Sequence, residues 1–101
     1  MDDKVLLVDF FNAIEDDPRV NSRHVSLYVS LFQFWINKDA ENPLELFSKE
    51  VMGLCKISAS STYHKTIREL HEFGYINYDP SFNHNKRSLI CLTKIEPHDK
   101  K

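Results

Sequence analysis

The side chains best suited to a binding chemistry are concentrated between residues 58 and 73. With Tyr63 at the centre of an inward helical face and a step of about 100° per residue, Ala59, Thr66, Ile67, Leu70 and, at the edge, Phe73 fall on one side. The opposite arc carries Ser61, His64, Lys65, Arg68, Glu69 and Glu72, with Thr62 at its margin. Its first two turns combine hydroxyls, an imidazole and two cations, a set that hydrogen-bonds base edges and neutralises phosphates when a helix enters a major groove. The acidic last turn is expected to stand clear of such a partner. Charged residues also line the outer face of any surface helix, so the arc gains meaning only from the elements that position it.

Other chemistries find less support. His64 and His71 share a side of the same helix, but seven residues of rise separate them by about 10.5 Å, too far to ligate one ion at ~2 Å each. His84 sits in a turn, where it reads as solvated, with a phosphate contact as the sharper alternative; His24 and His98 follow no pattern. No metal site is expected. The only glycines are Gly53 and Gly74, which rules out a glycine-rich phosphate cradle. No nucleophile elbow or paired carboxylate spacing occurs, so neither an enzyme nor a cofactor is expected. Cys55 and Cys91 are isolated and read as ordinary apolar residues of a reducing compartment. Tyr28, Phe32, Phe34 and Trp35 lie on a helix that is apolar on most faces and read as core.

The elements that must hold the arc follow from periodicity. Leu7, Phe10, Phe11 and Ile14 are at helical spacing and predict a first helix over residues 3 to 16, with Asp2 and Asp3 at the end where the dipole favours negative charge. Asp16-Asp17-Pro18 ends it. Asn21 or Ser22 caps a second helix, residues 22 to 37. A polar loop, residues 38 to 43, leads to a short strand, residues 44 to 47. Ser48 then caps a short helix ending at Cys55, three residues form a turn, and Ser58 caps the helix that carries the arc. Gly74 supplies its left-handed close. Beyond it the period becomes alternating: Tyr75 to Tyr78 and Ser88 to Leu92 predict a hairpin whose tip ends in Lys86 and Arg87. The tail from Lys94 to Lys101 is expected to fray.

The 101 residues suit one domain, and a hydrophobic fraction of 42% suits a folded one. Net charge is -2, but it is unevenly spread. Residues 1 to 47 hold four basic and nine acidic side chains, giving -5; residues 48 to 101 hold nine basic and six acidic, giving +3. A basic C-terminal half can meet phosphates while the acidic half points away. No run approaches the roughly 20 apolar residues of a membrane span, and the start lacks secretory features; a cytoplasmic protein without a membrane partner is expected.

Three segments carry a resemblance: Leu44-Glu45-Leu46-Phe47-Ser48-Lys49-Glu50-Val51-Met52, Ile57-Ser58-Ala59-Ser60-Ser61-Thr62-Tyr63, and Ile67-Arg68-Glu69-Leu70-His71-Glu72-Phe73-Gly74-Tyr75-Ile76. Over about half its length the chain resembles winged helix-turn-helix proteins, and more narrowly the small regulator-like or replication-initiator-like domains of bacterial phages and mobile elements. The resemblance implies an α+β, mostly α fold: two N-terminal helices, a helix-turn-helix over residues 48 to 73 and a wing over residues 75 to 92. It assigns Ser60, Ser61, His64, Lys65 and Arg68 to DNA contact, with Lys86 and Arg87 as wing contacts to phosphate or minor groove. One departure stands out. Such families often place glycine in the turn where this chain has Lys56, and a left-handed lysine costs about 1 kcal/mol relative to glycine.

Duplex DNA is therefore the expected partner, bound sequence-specifically by a transcriptional regulator or a replication or recombination accessory protein. The N-terminal helices offer more apolar surface than the remaining elements cover, so a homodimer through them is expected. The alternative is a protein-interaction module that keeps the scaffold without binding DNA.

Overall fold

The computed structural model describes residues 3 to 80, 87 to 93 and 95. Among the described residues are four helices, α1 (Asp3–Ile14), α2 (Ser22–Asn37), α3 (Ser48–Cys55) and α4 (Ser60–Glu72), and three strands, β1 (Leu44–Leu46), β2 (Ile76–Asp79) and β3 (Ser88–Leu92). The architecture is α+β and mostly helical, with one antiparallel sheet in the order β1-β3-β2.

Local chemistry sets the boundaries. The Asn21 side chain accepts from the backbone N–H of Arg23 and His24 at 2.9 and 3.4 Å, and the Asn21 N–H donates to His24 Nδ1 at 3.0 Å. This is a reciprocal capping box with histidine in the place usually held by Glu or Gln. α1 stops at Ile14, two residues short of the expected end, because Asp17 turns inward. Ser48 is inside α3 rather than its cap; Phe47 precedes the helix, and its N–H donates to Glu50 Oε1 at 2.8 Å. Ser58 is likewise not the cap of α4. Ala59 occupies that position, without a side-chain hydrogen bond, because the helix begins at Ser60.

The helix ends use left-handed residues. Gly74 (φ 91°) closes α4: its N–H donates to the His71 carbonyl at 3.1 Å, and the Tyr75 N–H donates to the Leu70 carbonyl at 3.0 Å. This is the double bond pattern of a Schellman close. Lys56 closes α3 with φ 66° and ψ 29°, its N–H donating to the Met52 carbonyl at 3.0 Å. The turn thus adopts the left-handed form without the glycine that would make it free of cost.

α2 runs through the centre of the molecule, with Leu27, Tyr28 and Leu31 fully buried. α1 contributes Phe10, stacked on Tyr28 at 3.8 Å between ring centroids, and α4 contributes Tyr63, Ile67 and Leu70. In the sheet, Leu44 and Tyr78 each pair with Ile90, and Ile76 pairs with Leu92; Leu44, Ile76, Ile90 and Leu92 face the core. Asn42 extends this ladder, its amide group exchanging two hydrogen bonds with the Leu92 backbone at 2.9 and 3.0 Å. Ile95 is 5% exposed and belongs to the core, which corrects the expectation of a frayed tail at that residue: an isoleucine there gains more from leaving water than the tail gains from fraying. The rest of the tail, Lys94 and residues 96 to 101, lies outside the described residues. Among the described residues no helix is long and apolar enough to cross a membrane.

Candidate nucleic-acid interface

α4 is held by its inward face. Tyr63, Thr66, Ile67 and Leu70 are buried, and the Thr66 hydroxyl donates back to the Thr62 carbonyl at 2.7 Å. That anchoring leaves Ser60, Ser61, Lys65 and Arg68 exposed. Lys65 and Arg68 are three residues apart, which puts their Cβ atoms roughly 5–6 Å from each other on one helix face. His64 is half-buried, its Nδ1 2.9 Å from the Ser60 carbonyl oxygen and its ring edge-on to Tyr63. A carbonyl only accepts, so this contact requires the proton on Nδ1. In the neutral ring Nε2 is then the acceptor, suited to an amino group.

Glu69 departs from the helical-wheel expectation. Its carboxylate leaves the outer arc and lies 2.7 Å from Nε2 of His24 on α2. His24 is 2% exposed, and its Nδ1 already accepts from the Asn21 backbone, so Nε2 carries the proton that Glu69 accepts. The histidine that followed no pattern in the sequence therefore joins α2 to α4. One signal was present: Asn21 and His24 stand at capping-box spacing. The functional consequence is electrostatic, since one of the two acidic groups is drawn away from the outer face, leaving Glu72 at its end.

Two further cations, not assigned to DNA contact from the sequence, lie on α3 and in the turn before α4. Lys49 and Lys56 line a shallow open cavity of about 410 Å³ with Met52, Gly53, Ile57 and Ser58. Lys49 stands in the first turn of α3 and Lys56 is the left-handed residue that closes it. The cavity reaches Ser58, two residues before the start of α4, whose first turn contains no acidic residue and whose N-cap makes no side-chain hydrogen bond.

The hairpin is tied to the last turn of α4. The Tyr78 N–H donates to His71 Nδ1 at 3.1 Å. Burial pushes the Tyr78 hydroxyl up from its ordinary range, offset in part by a hydrogen bond with Ser88 and by the Arg68 charge, which stands beside β2. Arg87 is exposed, and its guanidinium carbon lies 4.4 Å over the Phe47 ring, so it sits at the base of β3 next to the start of α3. Lys86 and His84, the other hairpin residues singled out above, lie outside the described residues.

Arg19, by contrast, is committed to the fold. Its guanidinium makes a two-pronged contact with Asp17 at 2.8 and 2.7 Å and lies over the Phe73 ring at 4.1 Å. Asp17 is buried and also accepts from the Tyr75 hydroxyl at 2.6 Å. Arg19 above all, then Tyr75, holds the Asp17 carboxyl well below the usual carboxylate range against the opposing effect of burial. Cys55 is buried, which pushes its thiol up, and its carbonyl accepts from the Ser26 hydroxyl at 2.6 Å. Among the described residues no cluster of three or more His, Cys, Asp or Glu is placed to hold a metal ion.

The chain matches no known protein family, no curated protein and no solved structure. The functional reading therefore rests on the geometry of α3, α4 and the hairpin.

Proposed function

We propose that the chain is a winged helix-turn-helix protein that binds duplex DNA sequence-specifically as a homodimer. Its role would be that of a small transcriptional regulator or a replication or recombination accessory protein of a mobile element. The element order supports the fold reading. A helix and a short strand precede the α3–α4 pair, a hairpin follows, and the short strand lies beside the hairpin's return strand. In this reading α4 enters the major groove, and Lys49 and Lys56 meet backbone phosphates. The hairpin reaches flanking DNA through Arg87 and Lys86.

The observation that carries the proposal is the make-up of the outer face of α4. Ser60, Ser61, Lys65 and Arg68 are exposed, while Glu69 is drawn away to His24. Fluorescence anisotropy with mixed-sequence duplex at low salt is expected to give binding that weakens as salt is added. Selection from a random duplex pool is then expected to yield a palindromic site. Absence of binding at about 50 mM salt would remove DNA from the reading.

A second reading is favoured by a specific observation. α1 exposes Val5, Val8 and Phe11 at 47%, 54% and 41%. A protein-interaction module working through its acidic, apolar N-terminal half would use that face, and absence of DNA binding at low salt favours it.

A further inference from the structure

The inner side of α1 is occupied, with Phe10 stacked on Tyr28 and edge-on to Tyr75. On the other side, Lys4, Val8 and Phe11 on α1 and Glu15 in the turn directly after it follow one another at four, three and four residues, the spacing of a single helical stripe that continues one residue past the helix end. All four are exposed, Val8 at 54% and Phe11 at 41%. Their order is basic, apolar, apolar, acidic.

That order is self-complementary under one symmetry only. Lys4 and Glu15 are equally far from the midpoint of this stripe, between residues 9 and 10, and so are Val8 and Phe11. A two-fold axis through that midpoint lays two α1 helices antiparallel, brings Val8 against the partner's Phe11, and sets Lys4 opposite the partner's Glu15. A parallel pairing would instead place Lys4 on Lys4 and Glu15 on Glu15. An ammonium has three donors, so a contact of Lys4 within its own chain leaves room for one across the pair.

We propose that α1 is the self-association surface, pairing two copies antiparallel with Val8 against Phe11 at the centre and Lys4 against Glu15 at both ends. This deepens the homodimer of the proposed function and rests on that reading. The occupant is a second copy because only a second copy presents the same stripe reversed; an isologous interface requires that reversal. Twelve residues of helix span about 18 Å, and one such stripe supplies less than the roughly 800 Å² per partner of a standard interface. The dimer is accordingly weak, with dissociation on the order of micromolar, and its orientation is set by the end charges.

Sedimentation equilibrium of the full chain without DNA, from low micromolar to near-millimolar concentration, tests the pairing. The wild type is expected to dimerise and Val8→Glu to remain monomeric. Lys4→Glu and Glu15→Lys are each expected to weaken the dimer roughly tenfold, since each turns two attractive contacts into repulsive ones. The double reversal Lys4→Glu/Glu15→Lys is expected to restore it. Circular dichroism checks that each variant is folded, which the exposure of these side chains favours. A monomeric wild type, a dimer indifferent to Val8→Glu, or a folded double reversal that fails to recover would overturn the proposal. The DNA reading is separable: a monomer that binds duplex overturns the α1 pairing alone, whereas a dimer that binds no duplex supports the pairing and overturns the DNA reading.

Discussion

Removing Lys65 and Arg68 together is the most direct test of how α4 acts. Five exposed cations border the proposed DNA face: Lys49 and Lys56 beside the cavity, Lys65 and Arg68 on α4, and Arg87 at the base of β3. If each neutralises one phosphate, the logarithm of affinity falls against the logarithm of salt with a slope of about -4.5 per subunit. On these five contacts a fourfold rise in salt weakens binding about 500-fold per subunit, and without Lys65 and Arg68 the slope becomes about -2.7 and the loss about 40-fold per subunit. Both side chains are exposed, so stability should change by no more than about 0.5 kcal/mol, which a urea melt checks. The assay is anisotropy with one duplex over a salt series, comparing Lys65→Ala/Arg68→Ala with Arg23→Ala/Lys38→Ala, a control pair on and just after α2. The selected site and a scrambled duplex are then compared. Loss of the α4 pair should also narrow the gap between those two DNAs, whereas Lys49→Ala/Lys56→Ala should lower both affinities alike. A slope unchanged by the α4 pair, or changed equally by the control pair, would refute the reasoning.

Two predictions concern the scaffold. Tyr75→Phe removes a hydrogen bond to the buried Asp17 carboxylate and should cost about 1.5–3 kcal/mol in a urea melt at neutral pH. Because the folded Asp17 pKa is depressed, its contribution is present above the unfolded value near 3.9 and is lost as pH falls toward the folded one. The wild type should therefore go on losing stability at acid pH where Tyr75→Phe, with its Asp17 less depressed, has already levelled off, and acid limbs that level off together would count against this coupling. Lys56→Gly should raise stability by about 1 kcal/mol by relieving the left-handed lysine. Gly53→Ala should gain about as much, since a methyl group at this helical position meets nothing within 4 Å. A loss at either site would mean that the local backbone is held for another reason.

What the sequence made legible was whatever depends on short-range periodicity. Asn21 and Gly74 act where their types predicted, and the arc from Ser61 to Arg68 faces outward because Tyr63, Ile67 and Leu70 must face in. What escaped was decided by contacts far apart in the chain. Asp17 reads as a helix stop, yet its carboxylate meets Tyr75, 58 residues away. Ile95 reads as tail, yet the core has room for it. Ser58 was a plausible cap, but α4 starts two residues later.

Glu69 is the most instructive of these, because its error bears on the charge of the site. A helical wheel places a side chain by the direction of its Cα–Cβ bond, while a glutamate reaches several ångströms from there toward whichever partner favours it. Water offers an exposed carboxylate little reason to choose a direction. A buried imidazole with its proton aimed outward does, because leaving that donor unpaired would cost about 1–3 kcal/mol. The buried member of the pair therefore dictates where the half-exposed member goes. His24 is buried because Leu27, Tyr28 and Leu31 commit that side of α2 to the core, and its Nδ1 is already occupied by the Asn21 cap. The outer face of α4 thus owes part of its positive character to the burial pattern of a different helix, 45 residues earlier in the chain.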